Sequence, residues 1–175
     1  MKKIATTFLS FLVAFCCFGQ APKVRIHLNA QFTRTIYDRT IGNNPWALGL
    51  GVQGDLVNKS KFNPTFDLTA DIYFADDKVQ VVNSDGTSPE DLGGVVNLFA
   101  GLSYSGRGKV YYSFVLGPSY SNGKVFLGIK PSIAFYFSES QKLAGKLSFI
   151  NIFDRDRLTG QDFGSLSFTL GFRLY

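Results

Sequence analysis

Apolar and polar residues alternate with a period of two along most of this chain, and the alternation is cleanest over its last dozen residues. In Gly164–Tyr175, Leu166, Phe168, Leu170, Phe172 and Leu174 fall on one side of an extended strand. Ser165, Ser167, Thr169, Gly171, Arg173 and Tyr175 fall on the other. Alternation held to the final residue predicts a paired strand where most domains fray. The same pattern predicts seven earlier strands: about Val24–Tyr37, Trp46–Leu56, Thr65–Ala75, Leu92–Tyr104, Val110–Tyr120, Val125–Ser138 and Lys142 to about Ile152. If the last strand pairs with the first, both sheet edges disappear. The expected fold is all-β: a single closed, antiparallel, up-and-down barrel of eight strands.

The intervening segments are of two kinds. Val57–Asn63 and Ser105–Lys109 are short turns, whereas Asp38–Pro45, Asp76–Asp91 and Phe153–Phe163 are longer and polar. Asn122-Gly123 is a hairpin signal of its own. Pro118 and Pro131 interrupt strands five and six, where each removes a ladder donor, so bulges or a position at the rim are expected there.

Side-chain size indicates which face is inside. The less apolar face carries Gly49, Gly51, Gly101, Gly117, Gly128, Gly171, Ser113, Ser132, Ser148, Ser167 and Thr169. A water-facing exterior would carry Lys and Glu instead. Small residues suit a crowded narrow lumen, which turns the apolar face toward lipid. With both termini on the periplasmic side, Tyr37, Trp46, Phe74, Tyr120 and Phe149 form an outer girdle. Phe66, Tyr104, Tyr112, Phe135, Phe137 and Phe172 form an inner one, with aliphatic residues between. Strands of about 10 residues are long enough to cross a bilayer.

The N-terminus adds export. Lys2 and Lys3 precede an apolar stretch, Ile4–Phe18, whose length of about 15 residues fits a secretory signal better than a membrane helix. The division expected is 1–19 signal peptide, cleaved after Gly19, and 20–175 barrel domain; lipidation at Cys16 or Cys17 is the competing reading. Cleavage removes both cysteines, and with them any disulfide, thiolate nucleophile or Cys-ligated metal. It also lowers the formal net charge from +5 to about +3, too little to suggest a nucleic-acid partner.

With these features in place, the chain resembles the small eight-stranded outer-membrane β-barrel proteins of Gram-negative bacteria. The resemblance covers the whole of 20–175 and rests on the signal, the strand count and the C-terminal pattern. Members of that group commonly end in a polar-x-Gly-x-x-apolar-x-aromatic motif read by the barrel-assembly machinery. Thr169, Gly171, Leu174 and Tyr175 look similar, one residue short, with Arg173 at a site that is often aromatic. The resemblance implies a multi-pass location in the outer membrane, with outer-membrane lipid and the assembly machinery as partners.

The candidate chemistry lies in the lumen. Arg25, Asp55, Asp67, Asp71, Lys130, Lys146 and Arg173 are expected there as a charge network, with His27, Asn29, Gln31, Gln53 and Asn97. Asp67 and Asp71 lie two inward positions apart on one strand, and unpaired charge in a narrow lumen is costly, so pairing with the Lys and Arg set is expected, Asp71 with Lys130 or Lys146. Such a network acts as a plug, or it lines a narrow passive pore. A lipid-modifying enzyme is the other alternative, and its triad would need the single histidine, His27, near Ser167 or Asp55. No cofactor, metal or catalytic set is expected, and the barrel is read as not an enzyme. The loops Asp76–Asp91 and Phe153–Phe163 would face outward and carry any surface recognition.

Overall fold

The computed structural model describes residues 23–36, 45–57, 59–74, 93–105, 108–156 and 161–174. The segment read as a signal, the loop 76–91, most of the loop 38–45, Tyr37 and Tyr175 lie outside the described residues. The strands are β1 (Lys23–Thr35), β2 (Trp46–Val57), β3 (Phe62–Phe74), β4 (Gly94–Ser105), β5 (Val110–Ser121), β6 (Lys124–Tyr136), β7 (Leu143–Asp156) and β8 (Gln161–Arg173). Each pairs antiparallel with its sequence neighbour, and β8 returns to β1 to close the barrel. The closing seam runs from His27 opposite Arg173 to Thr35 opposite Ser165. It is extended by a bond from the Leu174 N–H to the Ile26 carbonyl at 2.9 Å.

The start of β1, the end of β8, and the ends at which β2 meets β3, β4 meets β5 and β6 meets β7 lie at one end of the barrel, the terminal end; the opposite strand ends form the loop end. Asn122 and Gly123 join β5 to β6 with φ of 49° and 74°, the paired positive values that a two-residue hairpin matched to strand twist requires.

Alternation fixes the polarity of the wall. Leu28, Phe32, Leu50, Leu68, Leu98, Phe114, Ile133, Leu147 and Phe168 all point outward and are exposed, while Asn29, Gln31, Asp67, Asn97, Lys130, Lys146 and Thr169 point inward and are buried. The expected girdles are outward as well: Trp46, Phe74 and Tyr120 near the loop end, and Phe66, Tyr112, Phe135, Phe137 and Phe172 near the terminal end. Phe32 stacks on Trp46 at 5.0 Å, and the Arg34 guanidinium lies 4.7 Å over the same indole.

Three expectations are corrected. The stretch Phe153–Phe163 is not all loop, because β7 continues to Asp156 and β8 begins at Gln161. The polar residues there still satisfy a backbone ladder, which needs no apolar pattern, and the ladder slips between Ile152 and Asp156. Strand six ends at Tyr136, so Phe137 and Ser138 belong to the turn. Pro118 and Pro131 make no bulge. Register is kept on both sides of each, and the pairing lapses only where the missing donor faces: between Asn97 and Ala100 on β4, and between Ser148 and Asn151 on β7. Toward each other, β5 and β6 pair without a break.

Candidate functional site in the lumen

Why a lumen this narrow forms at all is visible at its glycines. A Cβ on Gly101 would run into the Phe114 carbonyl, and one on Gly49 into the Asp71 carboxylate. Backbone and side chains from neighbouring strands occupy the volume a larger residue would need. Gly128 makes room for the Phe99 ring, whose tip would lie 2.8 Å from an added Cβ. The interior is therefore filled by side chains, as eight strands require.

At mid-lumen three strands meet at one carboxylate. Lys130 Nζ lies 2.9 Å from Asp67 Oδ1, and Lys146 Nζ lies 3.1 Å from Asp67 Oδ2. Lys130 is fully buried. Lys146 also donates to Gln53 Oε1 at 2.8 Å, and Gln53 Nε2 passes the chain on to Asp55 Oδ1 at 3.2 Å. Asp55 Oδ1 accepts further bonds from Thr65 Oγ1 at 2.7 Å and Ser103 Oγ at 3.3 Å. One buried carboxylate thus holds two buried ammonium groups and the next is satisfied by neutral donors, the kind of pairing that burial of charge demands.

Asp71 is placed differently from the expectation. Its partner is the Gln31 amide, which donates to Oδ1 at 2.5 Å, while Oδ2 makes no hydrogen bond. Both lysine ion pairs fall on Asp67, as expected for that carboxylate, and none on Asp71. Arg25 and Arg173 do not join the mid-lumen group. Arg25 donates to the Tyr136 hydroxyl at 3.2 Å, and Arg173 reaches the Ser140 carbonyl at 2.8 Å, both at the terminal end. Asn97 donates to Thr69 Oγ1 at 3.2 Å and accepts from Ser119 Oγ at 2.7 Å.

His27, Ser167 and Asp55 form no triad. Neither His27 nitrogen makes a hydrogen bond, and the Ser167 hydroxyl makes none. His27 sits opposite Arg173 on the seam, whereas Ser167 sits opposite Thr33. That separation along the wall is about 20 Å at the usual rise per residue.

The charges do not fill the lumen alone. At the loop end, Ala47, Tyr73, Val95, Phe126, Ile150, Ile152 and Phe163 form a buried apolar cluster, with Tyr73 edge-on to Phe163 at 5.5 Å. At the terminal end, Tyr111, Ala134, Tyr136 and Ala144 form a smaller one. Tyr73, Tyr111, Phe126 and Tyr136 fall on the inward face by alternation and are buried there. Reading that face as polar hid their role as the end layers of the lumen. Of the terminal pattern, Thr169 and Gly171 point inward and Leu174 is exposed.

No protein-family model matches the chain, and no curated protein matches it. Solved structures do. The Yersinia pestis outer membrane protein Ail in a phospholipid bilayer nanodisc matches with a TM-score of 0.55 at 10% identity, over 87% of this chain and 100% of that one. Crystalline Ail in complex with the heparin analogue sucrose octasulfate matches at 0.53 and 12% identity, over 89% of this chain and 100% of that one. A de novo designed transmembrane β-barrel matches at 0.54 and 8% identity, over 89% of this chain and 98% of that one. At such identities the likeness concerns the fold, which is that of an eight-stranded transmembrane barrel.

Proposed function

We propose that this chain is an integral outer-membrane β-barrel, not an enzyme, with a structural or surface-recognition role and a lumen plugged by its own side chains. The observation that carries the reading is the reversed polarity of the wall. Phe168 is 46% exposed on the outer face and its neighbour Thr169 is 0% exposed inside, and the same contrast repeats around the barrel. An apolar belt between aromatic rings is costly in water and stable in hydrocarbon. The terminal end is assigned to the periplasm and the loop end to the cell exterior. The barrel-assembly machinery is assigned the C-terminal strand, with Thr169, Gly171, Leu174 and Tyr175 as its signal.

Surface recognition belongs to the loop end, where a rigid barrel presents its longer connections. The heparin-analogue complex of Ail supports sulfated or otherwise anionic glycans as one class of ligand to try there. The plug is the Asp67–Lys130–Lys146 group, together with the apolar cluster above it.

The test uses cysteine at 168 or 169, an environment-sensitive dye, and refolding into vesicles with brominated acyl chains. Strong quenching at 168 and weak quenching at 169 is expected. Quenching at neither position defeats the membrane reading. A narrow passive pore is the second reading. It is favoured by the hydroxyls of Thr33, Ser148, Ser165, Ser167 and Thr169, which line one wall without hydrogen-bond partners. In a planar bilayer the plugged barrel is silent, and steady single-channel conductance would select the pore.

A further inference from the structure

We propose that the terminal rim of the barrel carries a binding site for one anionic phospholipid, with Lys61 and Lys109 holding its phosphate and an apolar hollow on β3–β5 holding an acyl chain. The proposal rests on the membrane reading above.

The hollow lies on the outer face of the wall and has a volume of about 430 Å³. Phe62, Leu102, Tyr104, Tyr112, Phe114 and Leu116 line it. Its lower border is an aromatic row set by strand register: Phe62 on β3 faces Tyr104 on β4, which faces Tyr112 on β5. Phe62 and Tyr104 are in contact, with ring centres 5.1 Å apart. Tyrosines prefer the depth where hydrocarbon gives way to headgroups. The row therefore marks the interface, with the hollow on its hydrocarbon side.

Immediately beyond the row stand the cations. Lys61 precedes Phe62, Lys109 lies three residues before Tyr112, and both are exposed. Their backbones are fixed: the Lys61 carbonyl accepts from the Ser105 N–H at 2.9 Å, and the Lys109 carbonyl accepts from the Tyr136 N–H at 2.8 Å. Lys23, Lys59 and Lys142 are exposed at the same end, and Glu139 is the single exposed carboxylate there among the described residues. Lysine stems lie along apolar surface while the ammonium stays at headgroup depth.

A phosphate ester with a hydrocarbon chain matches both halves of this surface. A zwitterionic lipid brings its own cation to a rim already rich in positive charge and matches it less well. Lys61 and Lys109, which stand beside the hollow, each contribute about fivefold to the preference for an anionic headgroup.

The experiment places a dye on Ala100→Cys, an outward position paired with Leu116 beside the hollow, and separately on Leu170→Cys on the opposite wall. Protein is refolded into phosphatidylcholine vesicles containing a small fraction of brominated phosphatidylglycerol, or of brominated phosphatidylcholine. Phosphatidylglycerol is expected to quench the dye at 100 several-fold more than at 170, whereas brominated phosphatidylcholine quenches both alike. Lys61→Gln or Lys109→Gln should each cut the excess about fivefold, and Lys23→Gln should leave it in place. Equal quenching by the two lipids at 100, or an excess that survives both lysine changes, overturns the site. So does an excess lost equally in Lys23→Gln, because the preference then belongs to the rim as a whole. Protection from both lipids at 100 with normal quenching at 170 means a second protein copy covers the hollow, and overturns it too. Absence of quenching at both positions is the separate failure of the membrane reading.

Discussion

Two sides of the lumen fill the same narrow space in opposite ways. From β4, β5 and β6, Phe99, Tyr111, Val115, Phe126, Lys130 and Tyr136 project inward and are buried. Below the loop-end cluster, to which β8 contributes Phe163, that strand turns only Ser165, Ser167, Thr169 and Gly171 inward as buried residues, facing Thr33 and Thr35 on β1 and Ser148 on β7. A barrel of eight strands has room for large side chains from only part of its circumference. The difference is also one of bonding. The mid-lumen carboxylate and both lysines are paired, while the β8 hydroxyls make no hydrogen bonds. Asp67 on β3 spans the two sides through Lys130 on β6 and Lys146 on β7.

Removing that span is the strongest way to break the contrast. Asp67→Ala leaves two buried ammonium groups without a counter-charge and should destabilise the barrel by roughly 3–5 kcal/mol in urea unfolding from lipid vesicles. A change near zero would mean that both sides of the lumen are hydrated. Phe99→Ala empties the filled side and should cost about 3 kcal/mol in the same assay, since Gly128 offers no atoms to close the gap. Asp71→Asn keeps an oxygen for the Gln31 amide and should cost about 1 kcal/mol or less. A loss as large as that of Asp67→Ala would move the anchoring charge four residues up β3. Ser167→Ala is the mildest probe, expected to change stability by less than about 0.5 kcal/mol, because the hydroxyl gives up no protein bond. A cost several times larger would reveal a bonded water file along β8 and favour the conducting reading.

How much of this was legible beforehand follows from what a period of two encodes. Alternation states which face each residue occupies, so the outward belt around Leu50, Leu98, Phe114 and Phe168 and the inward set around Gln53, Asp67, Lys130 and Lys146 were readable residue by residue. It carries no information on which inward residues meet across the lumen. That depends on the stagger accumulated around the closed sheet, and a shift of two residues exchanges partners without altering any face. Hence pairing of Asp67 and Asp71 with the lumen cations is expected from the sequence, but not that both lysines go to Asp67 and neither to Asp71. The extension of β7 and β8 toward the loop end was hidden for a related reason. Beyond Ile152 the pairing shifts register and resumes at Asp156 opposite Gln161, in a stretch of sequence that has no apolar alternation. The inward aromatics were visible but misjudged, because a lumen read as polar leaves no role for Phe99 or Tyr73.

The seam between β1 and β8 has a consequence in time as well as in space. Every other strand pair joins neighbours in sequence, the tightest across Asn122 and Gly123. The seam joins residues about 140 positions apart, a separation whose closure entropy is on the order of 4 kcal/mol. Sequence-local hairpins can zip early, and the seam cannot. Until it closes, His27–Thr35 and Ser165–Arg173 are two bare ladders of complementary register, each able to accept a foreign strand. The interval between the last hairpin and the seam is therefore when this chain is most exposed to mispairing, and when a chaperone or an assembly factor that occupies one edge would have its greatest effect.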